Sequence, residues 1–232
     1  TSDAIIRDII ENQELLFEPG SDVEYSDLGM MLLMDIAEKV TGREFSEMAD
    51  SWIFGPLNMN NSTFKPPNHL LGRIPPSEYD SSYRMRKIKG VVHDENTFLM
   101  GGISGHAGLF SNSHDIANFS QMMLNKGILN GSRVFSGYYI RQFTKKQFLP
   151  KKSDFGLGWD TPSNRGNSTA GDYFSEGSYG HLGFTGTSLW IDPNENIIII
   201  LLTNRTYPSR DNKGMYNLRR TFHNQVMKTI LS

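Results

Sequence analysis

Two short strings in the sequence hold residue types that can do acid–base or acyl-transfer chemistry. Tyr25–Asp27 (YSD) stands where a helical apolar pattern begins, and His181–Gly183 (HLG) leads into an alternating apolar run. A phenol with a pKa of about 10 is a poor base at neutral pH unless a nearby cation favours the phenolate or relays its proton. A histidine with a pKa of about 6.5 is mostly uncharged there and can orient a hydrogen bond. By itself, Tyr25 is explained better as a tyrosine packed before a helix cap than as a catalytic residue.

Composition excludes several classes of function. The 232 residues carry a formal net charge of -2, so the sequence lacks the excess of basic residues typical of nucleic-acid-binding proteins. No apolar run reaches the roughly 18 residues of a membrane span. Disulfides, thiolate metal sites and a cysteine nucleophile are excluded because the sequence has no cysteine. The first ten residues, TSDAIIRDII, lack the pattern of a signal peptide, so we expect any export signal to be absent or to lie upstream.

Apolar spacing predicts a helical first part of the chain with long loops at residues 60–105. Ser26 or Asp27 can cap the second helix, and Gly42 suits the position after its end. The predicted helices span Asp3–Leu16, about Asp27–Thr41, about Phe45–Phe54, about 116–125 and about 136–146.

After Pro150 the pattern changes to short strands. The strings DFGLGWD, SYGHLGF, TSLWIDP and NIIIILLTN read as strands, and DPNEN as a hairpin turn between the last two. Met215–Leu231 is predicted to be a closing helix with one apolar side, formed by Leu218, Phe222, Val226, Met227 and Ile230. We therefore predict an α+β fold in one domain, mainly helices and loops over residues 1–150 and antiparallel strands with a closing helix over residues 151–232.

Six strings in order resemble one family. They are EPGSDVEYSDLGMMLLMDIAEKVTG, FGPLNMNNSTF, GGISGHAGLFSNSHDIANFSQMML, FGLGWD, GHLGFTGTSLWIDP and LLTNRTYP. Together they resemble the class C β-lactamase and esterase branch of the serine β-lactamase and penicillin-binding-protein superfamily. The resemblance covers nearly the whole chain from about Pro19. The VHDEN and GGISGHAGLFS strings are most similar to those of modules that occur either C-terminal to a family 3 glycoside hydrolase or as separate proteins.

The resemblance implies acyl transfer through a serine ester, with a Ser-x-x-Lys motif upstream of the tyrosine. The chain has one such string, Ser62–Lys65 (STFK), which we reject as the nucleophile because it follows Tyr25 and is itself followed by two prolines that disfavour a helix. We therefore expect the serine, the lysine and the first strands of the sheet to lie upstream of this chain. The sheet edge left unpaired should then be covered by that segment or by a second chain.

The resemblance also assigns roles to particular residues. Tyr25 would move the serine proton to the leaving group, the Phe184 N–H would be an oxyanion donor, and Gly183 would let the backbone approach the acyl group. Thr185 continues this substrate-binding stretch. Asp27 replaces the usual asparagine and can only accept hydrogen bonds when ionised, so capping of the helix is an equal alternative for it.

Two further differences from the family's motif make it less expected that the site binds its substrate through a free carboxylate. His181 stands where β-lactamases carry lysine, and Leu182 replaces a threonine or serine hydroxyl. Arg205 could partly compensate as a substrate-binding residue, although a surface salt bridge is the alternative that we favour for it. The resemblance therefore implies an esterase or amidase more than a β-lactamase.

Other histidines do not require a metal. His93–Glu95 (HDE) and His106 fit hydrogen bonding within loops, because spacing alone does not make ligands converge. The GGISGHAG string lacks the lysine and hydroxyl ending of a phosphate loop and is predicted to form a tight turn that lines the cleft. We expect no metal and no cofactor.

The sequence thus predicts the C-terminal part of a serine hydrolase that acts on a small ester, amide or peptide-like substrate. The alternative is a non-catalytic accessory or binding module with the same fold. The resemblance implies a periplasmic or other extracytoplasmic location.

Overall fold

The computed structural model describes residues 2–147, 153–163 and 168–232. The chain divides into two compact units, Thr1–Asn112 and Ser113–Ser232. The division suggested by composition, at residue 150, differs from this one because two helices before it belong to the same unit as the sheet. Across the described residues, no helix combines the length and the apolar character needed to cross a membrane.

The first unit is mostly helical. Its elements are α1 (Ser2–Asn12), α2 (Asp27–Thr41), α3 (Phe45–Ala49) continued by a π-helical turn (Asp50–Phe54), a 3-10 helix (Asn68–Arg73), the antiparallel pair β1 (Glu78–Asp80) and β2 (Arg86–Ile88), and α4 (Glu95–Leu99).

Helix α2 has the ends that the sequence predicts. Ser26 is the N-cap, and its Oγ accepts a hydrogen bond from Gly29 N at 3.0 Å. Gly42 adopts φ 67°, the left-handed conformation that glycine takes without strain, and its N–H bonds Glu38 O. The apolar core of this unit joins α1 and α2 through Ile6, Ile9, Met31, Met34 and Met100.

Helix α1 ends earlier than predicted. It stops at Asn12, so Leu15 and Leu16 lie beyond it and are 76% and 81% exposed. Their apolar type continues the helical spacing in the sequence, but spacing alone does not show whether a packing partner is present.

A buried ion pair organises a hairpin in the stretch that we expected to be only irregular loop. Arg84 Nε lies 2.7 Å from Asp80 Oδ2, with both side chains nearly inaccessible, and the guanidinium also donates to the carbonyls of Val92 and His93. Hydrogen bonds from Arg84 and neighbouring N–H groups hold the pKa of Asp80 well below its usual range. This buried ion pair ties β1 to the loop before α4. The sequence did not predict β1 and β2 because three-residue strands are too short to show an alternating apolar pattern.

The second unit carries the sheet. Its elements are α5 (Ser113–Leu124), the short pair β3 (Ile128–Leu129) and β4 (Ser132–Arg133), α6 (Gly137–Thr144), β5 (Tyr179–Leu182), β6 (Ser188–Asp192), β7 (Ile197–Leu201) and α7 (Met215–Leu231).

The sheet is an antiparallel meander in the order β5-β6-β7. The hairpin between β6 and β7 falls at DPNEN as predicted, and Asp192 anchors it by accepting bonds from the N–H groups of Asn194 and Glu195. The expected first strand, DFGLGWD, instead forms only isolated bridges, Phe155 to Asp160 and Asp160 to Gly180. Within the described ranges, no strand pairs with the outer edge of β7.

Helix α7 buries a stripe that differs from the predicted apolar side. Leu218 and Ile230 are exposed, at 51% and 54%, and Met227 is buried. The buried positions recur every four residues and include two polar side chains; they are Met215, Arg219, His223 and Met227. The prediction was wrong for Leu218 and Ile230. The turn between β5 and β6 offers carbonyl groups that bond Arg219, so the helix turns the side of Arg219 inward and not the side of Leu218 and Ile230.

Candidate active site

Tyr25 lies directly before α2 and is 57% exposed. Partial burial raises the pKa of its phenol, and the nearby carboxylate of Asp27 raises it further. In the structure the group is therefore a neutral phenol at physiological pH. Activation as a base requires a cation that outweighs Asp27.

Asp27 is the first residue of α2 and not its cap, because Ser26 holds the N-cap position. A carboxylate in the first turn is stabilised by the helix dipole. The capping alternative for Asp27 is therefore wrong, and its side chain acts on the electrostatics around Tyr25.

The rejected Ser62–Lys65 string is not helical. Thr63 forms an isolated antiparallel bridge with Phe110, and Ser62 Oγ lies 2.8 Å from Ser111 Oγ. The extended backbone cannot place the serine and the lysine on one helix face. The predicted absence of a helix at this string agrees with the structure, and its rejection as the nucleophile motif stays a prediction.

The histidines of the first unit bond within loops, as predicted. His93 Nε2 lies 2.8 Å from Glu78 Oε2 in a buried pair, and His106 Nε2 lies 3.0 Å from Asp94 Oδ1. Burial opposes ionisation of Asp94, but hydrogen bonds from His106 and Thr97 outweigh it and lower the pKa of Asp94 to about 2. The His106–Asp94 pair pins the GGISGHAG turn to the start of α4, and the His93–Glu78 pair ties the preceding loop to β1.

The GGISGHAG turn also packs closely against α2. A Cβ on Gly105 would stand 2.3 Å from Met30 O, so only glycine fits there. Gly101, Gly102 and Gly108 have positive φ angles, which confirms a tight turn.

In the second unit, the HLG string and its neighbours form the turn between β5 and β6. Gly183 N donates to Thr187 O at 2.8 Å and Gly186 N donates to Gly183 O at 3.0 Å. A Cβ on Gly183 would lie 2.1 Å from Thr187 Oγ1, which gives this glycine a packing reason beside its expected role toward an acyl group.

Five consecutive carbonyl groups of this turn accept hydrogen bonds from the body of the unit. Arg219 donates to the carbonyls of Gly183, Gly186 and Thr187, and Thr203 Oγ1 adds a bond to Gly186 O at 2.7 Å. From the loop after β7, Arg205 Nε donates to Phe184 O and Arg205 N donates to Thr185 O, both at 2.7 Å.

The direction of these carbonyls fixes the direction of the N–H groups. In a planar trans peptide the C=O and the following N–H point in opposite directions. Because Arg219 holds Gly183 O and Arg205 holds Phe184 O, the N–H groups of Phe184 and Thr185 point away from their respective arginines.

Arg205 is not a surface residue. Its side chain is 6% exposed, stacks over the Phe184 ring at 4.4 Å and also donates to the carbonyls of Arg210 and Asn212. The surface salt bridge that we favoured from the sequence does not fit this burial. A guanidinium with these partners supports the turn from within.

His181 is exposed at the end of β5, next to the turn. Its Nδ1 lies 2.9 Å from Leu182 O, and a carbonyl can only accept, so Nδ1 carries a proton. The neutral ring then has its lone pair on Nε2, which is an acceptor. A lone pair does not bind a carboxylate, so neutral His181 is no carboxylate anchor.

The site residues thus form two groups, one in each unit. Tyr25 and Asp27 stand at the start of α2, and the other six predicted residues lie on or beside the β5–β6 turn; they are His181, Leu182, Gly183, Phe184, Thr185 and Arg205. Sequence reasoning missed Arg219 and Ser188, which bonds the buried ring of His223 at 3.1 Å. The pattern within α7 gave no signal for Arg219, because partly exposed polar residues of the same helix, such as Arg220 and Asn224, share the four-residue spacing.

A profile of the β-lactamase family matches residues 3–222. This chain belongs to the β-lactamase family. A Salmonella agona protein named "Putative D-alanyl-D-alanine carboxypeptidase" is 35% identical over 216 residues, which cover 86% of this chain and 49% of that protein. A Salmonella typhi protein of the same name is 34% identical with the same coverage. The chain spans about half the length of these relatives.

Solved structures support the fold. A β-lactamase from Mycobacterium bovis superposes with a TM-score of 0.65 at 19% identity, over 93% of this chain and 67% of that one. Simvastatin synthase from Aspergillus terreus superposes with a TM-score of 0.70 at 15% identity, over 98% and 62%. The fold is the α+β, β-lactamase and transpeptidase-like fold predicted from the sequence.

Replacing Asp160 with asparagine should stabilise the protein above pH 6 and have little effect near pH 4. Burial raises the pKa of Asp160 to about 6, and the charge of Asp154 adds to this. Since the folded-state pKa exceeds the unfolded value of about 4, the penalty for burying the charge grows as pH rises from 4 to 6 and is constant above. We expect a gain on the order of 2 kcal/mol in the free energy of unfolding at pH 8.

Urea unfolding at pH 4 and pH 8 tests this prediction. Glu176→Gln, at an exposed position of the same unit, removes an equal charge and should change stability little at either pH. Equal gains for Asp160→Asn at both pH values would contradict the burial argument.

Proposed function

We propose that this chain is the C-terminal part of a serine acyl-transfer hydrolase that cleaves an ester or amide bond and whose serine and lysine precede residue 1. One observation carries the proposal: the carbonyls of Gly183 and Phe184 are both held by buried arginines, so the N–H groups of Phe184 and Thr185 are set in advance. Preorganised N–H donors aimed at a developing oxyanion commonly lower the barrier to acyl transfer more than any other single feature of an active site.

The proposed reaction has two halves. The serine oxygen forms a bond to the substrate carbonyl carbon, and the proton of the serine hydroxyl passes to Tyr25. The Phe184 N–H stabilises the oxyanion that forms on the substrate. When the bond to the leaving group breaks, the Tyr25 phenol gives that group a proton and an acyl-enzyme remains. Water then repeats the attack and releases the acid.

Tyr25 sets a condition on this scheme. Burial and Asp27 raise its pKa, so the first proton transfer needs a cation close to the phenol. The upstream lysine of the proposed Ser-x-x-Lys motif would supply that cation. Without it, Tyr25 suits only the second role, as proton donor to the leaving group.

An amide of a peptide-like substrate is the bond that we favour. The Salmonella relatives bear the name of a D-alanyl-D-alanine carboxypeptidase. A lone pair on neutral His181 and the apolar Leu182 make the turn a poor carboxylate anchor, so we propose that substrate selection relies less on a free carboxylate than on the acyl group.

The open edge of the sheet is where a further strand could pair. We propose that a segment upstream of residue 1, or a second chain, pairs with the outer edge of β7. An unpaired strand edge that presents Ile197–Leu201 is otherwise open to aggregation. We also propose a periplasmic or extracytoplasmic location, since members of this family usually act outside the cytoplasm.

The decisive experiment exposes the intact protein to a fluorophosphonate and analyses it by mass spectrometry. We expect one covalent adduct on a serine outside residues 1–232, and release of D-alanine from a D-Ala-D-Ala peptide or of alcohol from an activated ester. Absence of any adduct in an intact protein that carries an upstream Ser-x-x-Lys would reject the hydrolase.

A non-catalytic accessory module is the second candidate, because the described chain contains no helical Ser-x-x-Lys pair at Ser62–Lys65. The coding sequence before residue 1 separates the two. A Ser-x-x-Lys motif there removes the main support for the accessory module.

A further inference from the structure

A basic cavity lies in the second unit, away from the β5–β6 turn in sequence and formed by other elements. It is a depression wide open to solvent, with a volume of about 480 Å³, and is formed by the end of α5, the β3–β4 pair and the start of α6. Its lining includes Lys126, Arg133, Gly137, Tyr138 and Arg141 and no acidic residue. A volume of this size suits a small organic ligand, since such pockets generally measure about 300–1,000 Å³.

The charge around this cavity is one-sided. Residues 116–153 contain no aspartate or glutamate, although the whole chain carries a net charge of -2. Three basic residues of this stretch line the cavity, Lys126, Arg133 and Arg141, whereas Lys146 pairs with Asp154 at 3.2 Å. Like charges collected without counter-charges repel one another, and an anionic ligand would relieve that repulsion.

Two of the lining cations are not committed to the protein. In the part of the chain that the structure describes, the side chains of Lys126 and Arg141 form no hydrogen bond and no ion pair with other residues. Arg133 is different, because its Nη1 donates to the carbonyls of Lys126 and Phe135 at 3.2 and 3.1 Å. One arginine is thus fixed in the wall, and two cations remain available to a ligand.

The backbone adds donors at the same place. The side chain of Ser136, the N-cap of α6, makes no capping bond, and the helical hydrogen-bond ladder starts with Ile140 N to Ser136 O. The N–H groups of residues 137–139 therefore precede the ladder. A Cβ on Gly137 would lie 3.6 Å from Arg141 Nη1 and 2.9 Å from the backbone oxygen of Lys126, which places the helix start beside the Arg141 guanidinium and the Lys126 backbone.

We propose that this basic cavity binds a phosphate group carried on a sugar-sized ligand. Arginine forks match phosphate oxygens in pairs, and three cations with adjacent N–H groups suit a dianion better than a singly charged carboxylate. The ring of Tyr138 is 57% exposed at the cavity wall and offers a face to a sugar. The cavity volume exceeds what a bare ion requires.

Isothermal titration of the intact protein with glucose 1-phosphate at 150 mM salt tests the proposal, with inorganic phosphate, glucose and glucuronate as comparison ligands. We expect saturable binding of the sugar phosphate, weaker binding of inorganic phosphate and no binding of glucose. Arg141→Gln should weaken sugar-phosphate binding at least tenfold, because it removes an uncommitted cation. Its stability should be nearly unchanged, which thermal unfolding verifies.

Lys145→Gln is the matched control. Lys145 lies directly after α6, carries the same charge and bonds Gln142 instead of lining the cavity. This variant should bind glucose 1-phosphate within twofold of the wild type. The proposal is overturned if the sugar phosphate does not bind, if glucuronate binds more tightly, or if the two variants weaken binding equally. None of these readouts depends on hydrolase activity.

Discussion

Replacing Tyr25 with phenylalanine should lower kcat/KM of the intact protein for its ester or amide substrate by about 10²–10⁴-fold, the range typical of general acid–base catalysis. The change removes one hydroxyl from a side chain that is 57% exposed, so the free energy of unfolding should change by less than about 1 kcal/mol. The loss should appear mainly in kcat, because the phenol acts on proton transfer and not on ground-state binding.

The pH profile gives this prediction a second test. Asp27 raises the pKa of Tyr25, so Asp27→Asn should lower that pKa and move to lower pH the acidic limb of the kcat/KM profile, which reports deprotonation of the base that accepts the serine proton. The limb should be absent in Tyr25→Phe. A merely structural role for Tyr25 would not shift the limb.

Tyr79→Phe is the control for the loss of a phenol. Tyr79 is an exposed tyrosine in the middle of β1, in the same unit. Its variant should retain full activity. If Tyr25→Phe is as active as Tyr79→Phe, Tyr25 is not part of the proton path.

Local signals in the sequence predicted the parts of the fold that local chemistry determines. The ends of α2 followed from Ser26 and Gly42, and the β6–β7 hairpin followed from DPNEN, because caps and turns depend on residues near in sequence. The DFGLGWD string failed as a strand. Its aromatic residues are typical of a strand, but only single bridges at Phe155 and Asp160 form.

The candidate site was predicted only where its residues follow one another in the chain. The HLG string and Phe184 share a turn, so sequence order brought them together. Arg219 lies more than 30 residues beyond, and a polarity pattern treats it as a solvent-facing residue of α7. Its burial depends on carbonyl groups of a distant turn, and no pattern within α7 encodes those.

Replacing Arg219 with glutamine should reduce acylation of the intact protein by about 10²–10³-fold, the effect of removing one oxyanion donor. Arg219 touches no reacting atom in the proposed scheme and is a positioning residue. Its guanidinium holds the carbonyls of Gly183, Gly186 and Thr187, and the first of these sets the direction of the Phe184 N–H. Glutamine is too short and has too few donors to hold all three.

The measurement must separate positioning from loss of fold. Arg219→Gln also leaves buried carbonyls unsatisfied, so the melting temperature should fall. Arg219→Lys retains the charge without the planar fork, so it should fold more stably than the glutamine variant yet acylate much more slowly than the wild type. In both, kcat should fall more than KM rises, and the amide resonance of Phe184 should shift.

Arg220→Gln is the neighbouring control. Arg220 pairs with Asp172 at 2.6 Å on the exposed side of α7, so its loss should cost no more than about 1 kcal/mol and leave acylation intact. If Arg219→Lys acylates as fast as Arg220→Gln, the turn does not need the guanidinium to orient its N–H groups. Retained activity would then mean that the backbone bond from Gly186 N to Gly183 O suffices to hold the turn.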